Sequence, residues 1–388
     1  MVLMAIDHAS FFIARVHPAE TWVAPGEYAS FTAFVTRWVT HLSAPGFFLL
    51  MGAGMTWLAE ARARAGWTPA RIRRFFLTRG LVLLLIQQVI ENPAWLLGFL
   101  SIAPGAFVDP PAVGGSPDGV FVVLLVVSAL GASMVFWGLL IRAPALVVAA
   151  IVAAAYLSGW LLTPAPSEAG VLFPIPLRVL FIMGTTAPVS VVYPWVPWLV
   201  PAGLGVLMGR AVLRSPDRAR GALVRVGLGA VAVFVALRLA GLGDYHQPGP
   251  GFIGFMNLTK YPPSLDFLLV TLGMNLILAG SFAPARPRAR SLAGPPEAPL
   301  RSRGSLAPAR SLGSGLTHAL EAFGRSPLFF YLLHLYVFGA LSWAFPRGSS
   351  WAVMYLVWAA AVAAMYPACR WYAGFKAGRP IGSFWRLL

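Results

Sequence analysis

Long apolar runs, separated by short basic clusters, set the pattern of this chain. A helix rises 1.5 Å per residue, so about 20 apolar residues are needed to cross a hydrocarbon core of about 30 Å. That ruler predicts spans at 2–16, 34–58, 80–100, 120–141, 146–162, 193–208, 223–242, 265–282, 327–345 and 351–366. The expected fold is all-α, a polytopic integral membrane bundle of about ten helices. Segment 172–183 is apolar but short, and Pro174, Pro176 and Arg178 interrupt it, so it is read as interfacial or re-entrant rather than spanning.

Charge gives an independent check, because basic loops stay cytoplasmic. Arg62, Arg64, Arg71, Arg73 and Arg74 lie between spans two and three, and Arg142 lies between four and five. Arg214, Arg218 and Arg220 fall between six and seven, Arg286 to Arg310 between eight and nine, and Arg370, Lys376, Arg379 and Arg386 after ten. All of these sit on one side of a ten-span chain. The alternate loops are poor in Arg and carry Glu20, Glu27, Asp109, Asp118, Glu168 and Asp244. Both termini are therefore expected in the cytoplasm. Residues 284–314 are rich in Ala, Pro, Arg, Ser and Gly and read as a basic cytoplasmic linker near anionic lipid headgroups. The linker divides an eight-span core, 1–283, from a two-span part, 315–388, of the same membrane domain.

Composition agrees with lipid as the solvent. Of 388 residues, 58% are hydrophobic and only 11% charged, with a mean hydropathy of +0.74, far from a soluble chain. The net charge of +16 arises from topology-setting clusters and not from a nucleic-acid surface. The single cysteine, Cys369, excludes a disulfide within the chain and any Cys-based metal centre, and no metal is expected. Walker, GxSxG, HExxH and dinucleotide-binding signatures are absent, and Gly52 and Gly54 in "MGAGM" are read as helix-packing positions.

Ionisable groups within spans are costly and hence functional candidates. Asp7, His8, His41, Glu91 and His334 stand out, with Asp266 a less certain sixth. At helical rise, His8 and His41 lie about 12 Å and about 10 Å below the outer surface, so both are expected to face one cavity with Asp7. His17 is placed at the outer mouth and Glu91 near mid-membrane. Such a cluster suits proton transfer to or from an attacking hydroxyl or amine. The plainer alternative is a set of interhelical hydrogen bonds, above all for His41 and His334.

Four stretches taken together, "LMAIDHASFF", "FVTRWVTHLSAPGFFLLMG", "RFFLTRGLVLLLIQQVIENPAW" and "FMNLTKYPPSLDFLLVTLG", resemble the bacterial DUF1624 family. That family is related to the catalytic domain of heparan-alpha-glucosaminide N-acetyltransferase in the transmembrane acyltransferase superfamily. "YPWVPWLVPAGLGVLMGR" and "GRSPLFFYLLHLYVF" extend the resemblance almost end to end. It implies an enzyme of the bacterial inner membrane that moves an acetyl or other acyl group from cytoplasmic acyl-CoA to an amino sugar or glycan on the opposite face. In the lysosomal relative, an asparagine on the first conserved helix and a histidine in the following loop form the catalytic pair. By alignment the asparagine falls on His8, the histidine near His17 but two residues out of register, and an aspartate of the next conserved helix on His41. These departures imply an acid-base group rebuilt around His8, with Asp7, His41, His17 and Glu91 as its expected companions.

On the same resemblance, CoA phosphates are expected at Arg71, Arg73, Arg74, Arg79, Arg325 and Ser326, since guanidinium forks match phosphate oxygens; the plainer role of these arginines is topology. Arg37, Lys260, Tyr261 and His334 are the expected acceptor contacts, with Lys260 holding an anionic acceptor or pairing with Asp266. Acyl-CoA, the acceptor and membrane lipids are the expected partners, a homodimer is left open, and nucleic acid is excluded. Family members carry a basic-acidic segment ending in Arg-Gly before the "LMAIDH" stretch. Its absence here, with a first span of only about 15 apolar residues, implies a start placed too late. The rival class is a proton-coupled secondary transporter, in which the buried carboxylates and histidines form a relay.

Overall fold

The computed structural model describes residues 1–106, 122–168, 173–282, 312–379 and 383. The linker expected at 284–314 lies almost wholly outside the described residues, as do Asp109, Asp118 and Arg386. Helices α1 (Val2–Ala9), α2 (Phe31–Thr40), α3 (Ser43–Arg64), α4 (Pro69–Ile86) and α5 (Asn92–Phe99) form the first part. Next come α6 (Val126–Leu139), α7 (Ala145–Leu162), the short α8 (Ile175–Leu180), α9 (Trp195–Arg214) and α10 (Pro216–Leu239). The one-and-a-half-turn α11 (Gly251–Met256), α12 (Leu265–Phe282), α13 (Leu312–Arg325), α14 (Pro327–Leu341) and α15 (Trp351–Ala377) complete the chain.

Among the described residues, eight helical stretches are long and apolar enough to cross a membrane. They are Phe31–Arg64, Pro69–Phe99, Ala145–Leu162, Trp195–Arg214, Pro216–Leu239, Leu265–Phe282, Pro327–Ala344 and Trp351–Ala377. The two remaining apolar helices, Val2–Ala14 and Val126–Leu139, are shorter. All ten coincide with runs read from sequence. Segment 172–183 contains only the six-residue α8, about 9 Å long at helical rise. It then turns into a small sheet, where β1 (Val122–Leu124) pairs parallel with β3 (Val189–Val191), and β2 (Gly184–Thr186) pairs antiparallel on the other side of β3.

Three local rules shape the polar interior. Proline lacks an amide hydrogen and its ring crowds the carbonyl four residues back. Pro45 thus disrupts the run at His41, where α2 ends and α3 begins two residues later. Pro93 acts the same way on Val89, and the chain passes it through a π-helical turn, Gln87–Glu91, that carries Glu91 to a fully buried position. A second π turn, Ser10–Ala14, follows α1 and ends at Arg15, the only non-glycine among the described residues with positive φ.

Helix α3 packs on α9, α4 on α6, α10 on α12, and α14 on both α5 and α15. The α3–α9 crossing is a backbone contact. A Cβ added at Gly52 would lie 2.0 Å from the Ala202 carbonyl oxygen, and one at Gly205 would lie 2.1 Å from that of Leu49. Gly54 differs from the expectation: a Cβ there would meet nothing within 4 Å, so it plays no part in this approach. Gly52→Ala is expected to force the two helices apart at a cost of about 1–3 kcal/mol, lowering the thermal midpoint in detergent, while Gly54→Ala leaves it unchanged. Equal midpoints for the two variants would refute the close approach.

Candidate functional site

The site is assembled from the first helix, the connection that follows it and α14. His8 Nδ1 lies 2.6 Å from His334 Nε2, with the two rings almost parallel at 7° and their centroids 4.8 Å apart. His334 Nδ1 is 3.0 Å from the Phe330 carbonyl oxygen, which can only accept, so Nδ1 carries a hydrogen. In a neutral ring its Nε2 is then an acceptor, His8 Nδ1 must donate to it, and His8 Nε2 is left with a lone pair. No hydrogen bond engages His8 Nε2 among the described residues. The histidine expected beside His8 was His41; the structure puts His334 there instead.

His8 borders a cavity of about 30 Å³, room for about two water-sized groups. Asp7, Thr40, Ser43, Tyr193, Lys260 and Tyr331 contribute the other polar groups of its wall. Tyr331 donates to Glu91 Oε1 at 2.5 Å, and Trp95 Nε1 approaches the same oxygen at 3.4 Å. Glu91 Oε2 is buried without a hydrogen-bond partner. Glu91 thus reaches the cavity only through Tyr331.

His41 belongs to a neighbouring network. Its Nε2 donates to Glu20 at 2.9 Å, and Tyr28 donates to Glu20 Oε1 at 2.5 Å. The Arg37 guanidinium bridges two carboxylates, with NH1 2.6 Å from Asp7 Oδ1 and Nε 3.0 Å from Glu20 Oε2. Thr40 adds a hydrogen bond to Asp7 at 2.9 Å. Arg37 was expected to meet the acceptor; its NH1 and Nε are engaged by Asp7 and Glu20, while NH2 makes an ion pair with Glu20 but no hydrogen bond among the described residues. Glu20 was read as a loop acid marking the outer side, yet it is 0% exposed and organises the whole network. Its position, 13 residues beyond Asp7 in a segment rich in Pro and aromatics, gives no periodic signal by which sequence reading would find it.

The other expected residues divide between lining and packing. His17 rests edge-on against Phe11, and its Nδ1 is 3.9 Å from Asp7, too far for a hydrogen bond. The Tyr261 hydroxyl meets that of Tyr193 at 3.3 Å. Lys260 does not pair with Asp266, whose nearest cation is Arg238 at 4.0 Å. Arg238 itself donates to the carbonyls of Phe255, His246, Gly254 and Asn257, tying the loop after α10 in place.

A second cavity, of about 360 Å³, opens among the ends of α3, α4, α13 and α15, and its charged lining is Arg62, Arg79, Arg325 and Lys376. Arg79 and Arg325, two of the expected phosphate contacts, line this cavity. Arg71, Arg73 and Arg74 are exposed and do not line it, and Arg71 stacks on Trp67 at 4.1 Å. Ser326 is buried and donates to the Ala322 carbonyl at 3.0 Å, so it is a helix-packing residue. Arg62 and Lys376, read from sequence as topology markers, are additional wall residues. Arg79 and Glu91 lie on one continuous helical path, 12 residues apart, which separates the basic cavity from the Glu91–Tyr331 pair by about 18 Å.

No known protein family matches the chain, and no curated protein does either.

Two groups of this site outside the spans give it an acid response. Burial, reinforced by Arg37, pushes the His17 imidazole from its ordinary 6.5 down to about 3. Burial alone would raise the Glu20 carboxyl, but Arg37, His41 and the hydrogen bond from His41 outweigh it and hold the group below its ordinary 4.5. Between pH 6.5 and 4.5 the unfolded His17 binds a proton that the folded one refuses, so stability falls as pH falls. Below 4.5 the loss of the depressed Glu20 carboxylate adds to it. Thermal midpoints measured across this range are expected to decline, and His17→Gln to lessen the decline from pH 6.5 down to about 3; a His17→Gln profile that superimposes on the parent would contradict this assignment.

Proposed function

We propose that the chain is a membrane-embedded acyltransferase that moves an acetyl or other acyl group from cytoplasmic acyl-CoA to an amino sugar or glycan on the opposite face. In this reading all ten apolar helices span, both termini are cytoplasmic and the membrane is a bacterial inner membrane. The observation that carries it is the His8–His334 pair, in which the Phe330 carbonyl fixes the tautomer and leaves His8 Nε2 with a lone pair, on a residue that borders the cavity. A base held in one tautomer by a second group is the arrangement that acyl transfer to a hydroxyl or amine requires.

The basic cavity supports the donor half of the reading. CoA is polyanionic, and three guanidinium groups with one ammonium around about 360 Å³ suit its phosphates. The pantetheine arm would then run along the α4 path toward Tyr331 and His8. Asp7, held by Arg37 and Thr40, sits next in sequence to His8 and lines the same cavity. Attack on the thioester proceeds directly with His8 as base, or through an acyl-His8 that reacts in a second step; ping-pong kinetics distinguish the two.

In purified full-length protein in lipid nanodiscs, thiol release from acetyl-CoA with glucosamine supplied as the acceptor reads the reaction. His8→Ala is expected to lower it by about 10²–10⁴-fold, and Arg79→Ala to raise KM for acetyl-CoA with kcat little changed. Normal thiol release by His8→Ala would remove the base from the mechanism. Uptake of a glycan into liposomes without acyl-CoA would replace the enzyme reading by proton-coupled transport, for which the buried Glu91 Oε2 is the most favourable feature.

A further inference from the structure

Lys260 is the one polar wall group of the central cavity whose situation the acid-base apparatus leaves unexplained. Its residue is 3% exposed, yet among the described residues its ammonium has no hydrogen-bond partner and no carboxylate within 4.0 Å. The nearest feature is the Tyr261 ring, with Nζ 5.1 Å from its centroid. Asp7 Oδ1 faces Arg37 and Thr40, and both Glu20 oxygens face Arg37, His41 and Tyr28, with none of these oxygens within 4.0 Å of the lysine's ammonium. A buried ammonium is expensive unless it is paired or hydrogen-bonded. Here its position is fixed from the backbone, where the amide nitrogens of Lys260 and Tyr261 donate to the Glu20 carbonyl at 3.0 and 3.1 Å. The segment that anchors the Arg37 network therefore also anchors the lysine.

We propose that Lys260 Nζ is a catalytic residue that stabilises the oxyanion of the tetrahedral intermediate, an inference that rests on the acyltransferase reading. Lys260 and His8 border the same cavity of about 30 Å³, which accommodates only a few heavy atoms, the size of a reacting acyl carbonyl. The nucleophile attacks the thioester carbonyl carbon and passes its proton to His8 Nε2, while the carbonyl π pair moves onto oxygen, facing Lys260. On collapse that pair reforms the carbonyl, the carbon–sulfur bond breaks with its electrons on sulfur, and the His8 proton converts the thiolate to CoA thiol. A preplaced cation at a buried cavity acts where negative charge develops and contributes little to ground-state binding.

The test is the split between kcat and KM for thiol release from acetyl-CoA by the full chain in nanodiscs, with glucosamine supplied as the acceptor. Lys260→Met is expected to lower kcat by about 10²–10³-fold with KM little changed; Lys260→Gln, polar and of similar length, is read in the same way where the methionine variant does not fold. A parent-like kcat in a folded variant, or a raised KM with kcat intact, overturns the proposal and assigns the lysine to binding or packing, leaving the acyltransferase reading in place. Absence of thiol release by the parent protein sinks that reading and the role of Lys260 with it.

Discussion

A guanidinium buried among helices and shared by two carboxylates is the constraint on which this site is built. Arg37 comes from α2, Asp7 from α1 and Glu20 from the connection between them, so one side chain ties three segments together. Removing any one partner would leave an uncompensated charge in a low-dielectric interior, which is far more costly than the net contribution of the intact network. The network sets where Asp7 stands beside His8. Through the Glu20 carbonyl, it also sets where the Lys260 segment docks. Segment 15–30 is thus part of the interior scaffold rather than a loose loop.

Much of the architecture was legible in the sequence, and for a simple reason. Helices able to span must be long and apolar because the bilayer core offers no hydrogen-bond partners, so each of the eight long stretches identifies itself locally. Pairings are another matter. His8 and His334 are 326 positions apart, and nothing in either neighbourhood says that the rings meet. His41 looked like the natural companion because helical rise gave it nearly the same depth, but depth along the membrane normal says nothing of azimuth. The break imposed by Pro45 turns His41 toward Glu20. The arginines divide in the same way: Arg71, Arg73, Arg74 and Arg79 read alike, yet position along α4 decides that Arg79 lines the basic cavity while Arg71, Arg73 and Arg74 remain exposed.

Proline shapes the polar interior as much as charge does. Glu91 owes its burial to the π turn preceding Pro93, and the separation of α2 from α3 owes its position to Pro45. Both prolines lie in stretches whose hydropathy alone reads as uninterrupted span. Side chains brace the backbone beside both breaks: Asn275 Nδ2 donates to the Leu42 carbonyl at 3.0 Å, and the Gln87 side chain accepts from the Ser128 amide in the first turn of α6 at 3.0 Å. Irregular backbone inside the bundle is stable because protein, not lipid, surrounds it.

The pairing of His8 with His334 also bears on biosynthesis. A ribosome delivers α1 to the membrane long before α14 exists, and until α14 inserts the His8 imidazole lacks the neighbour that fixes its tautomer. The nascent protein therefore carries an unoriented ring through most of its own translation, and the pair comes into being only with the penultimate helix. Premature termination before residue 334 yields a chain without the histidine dyad.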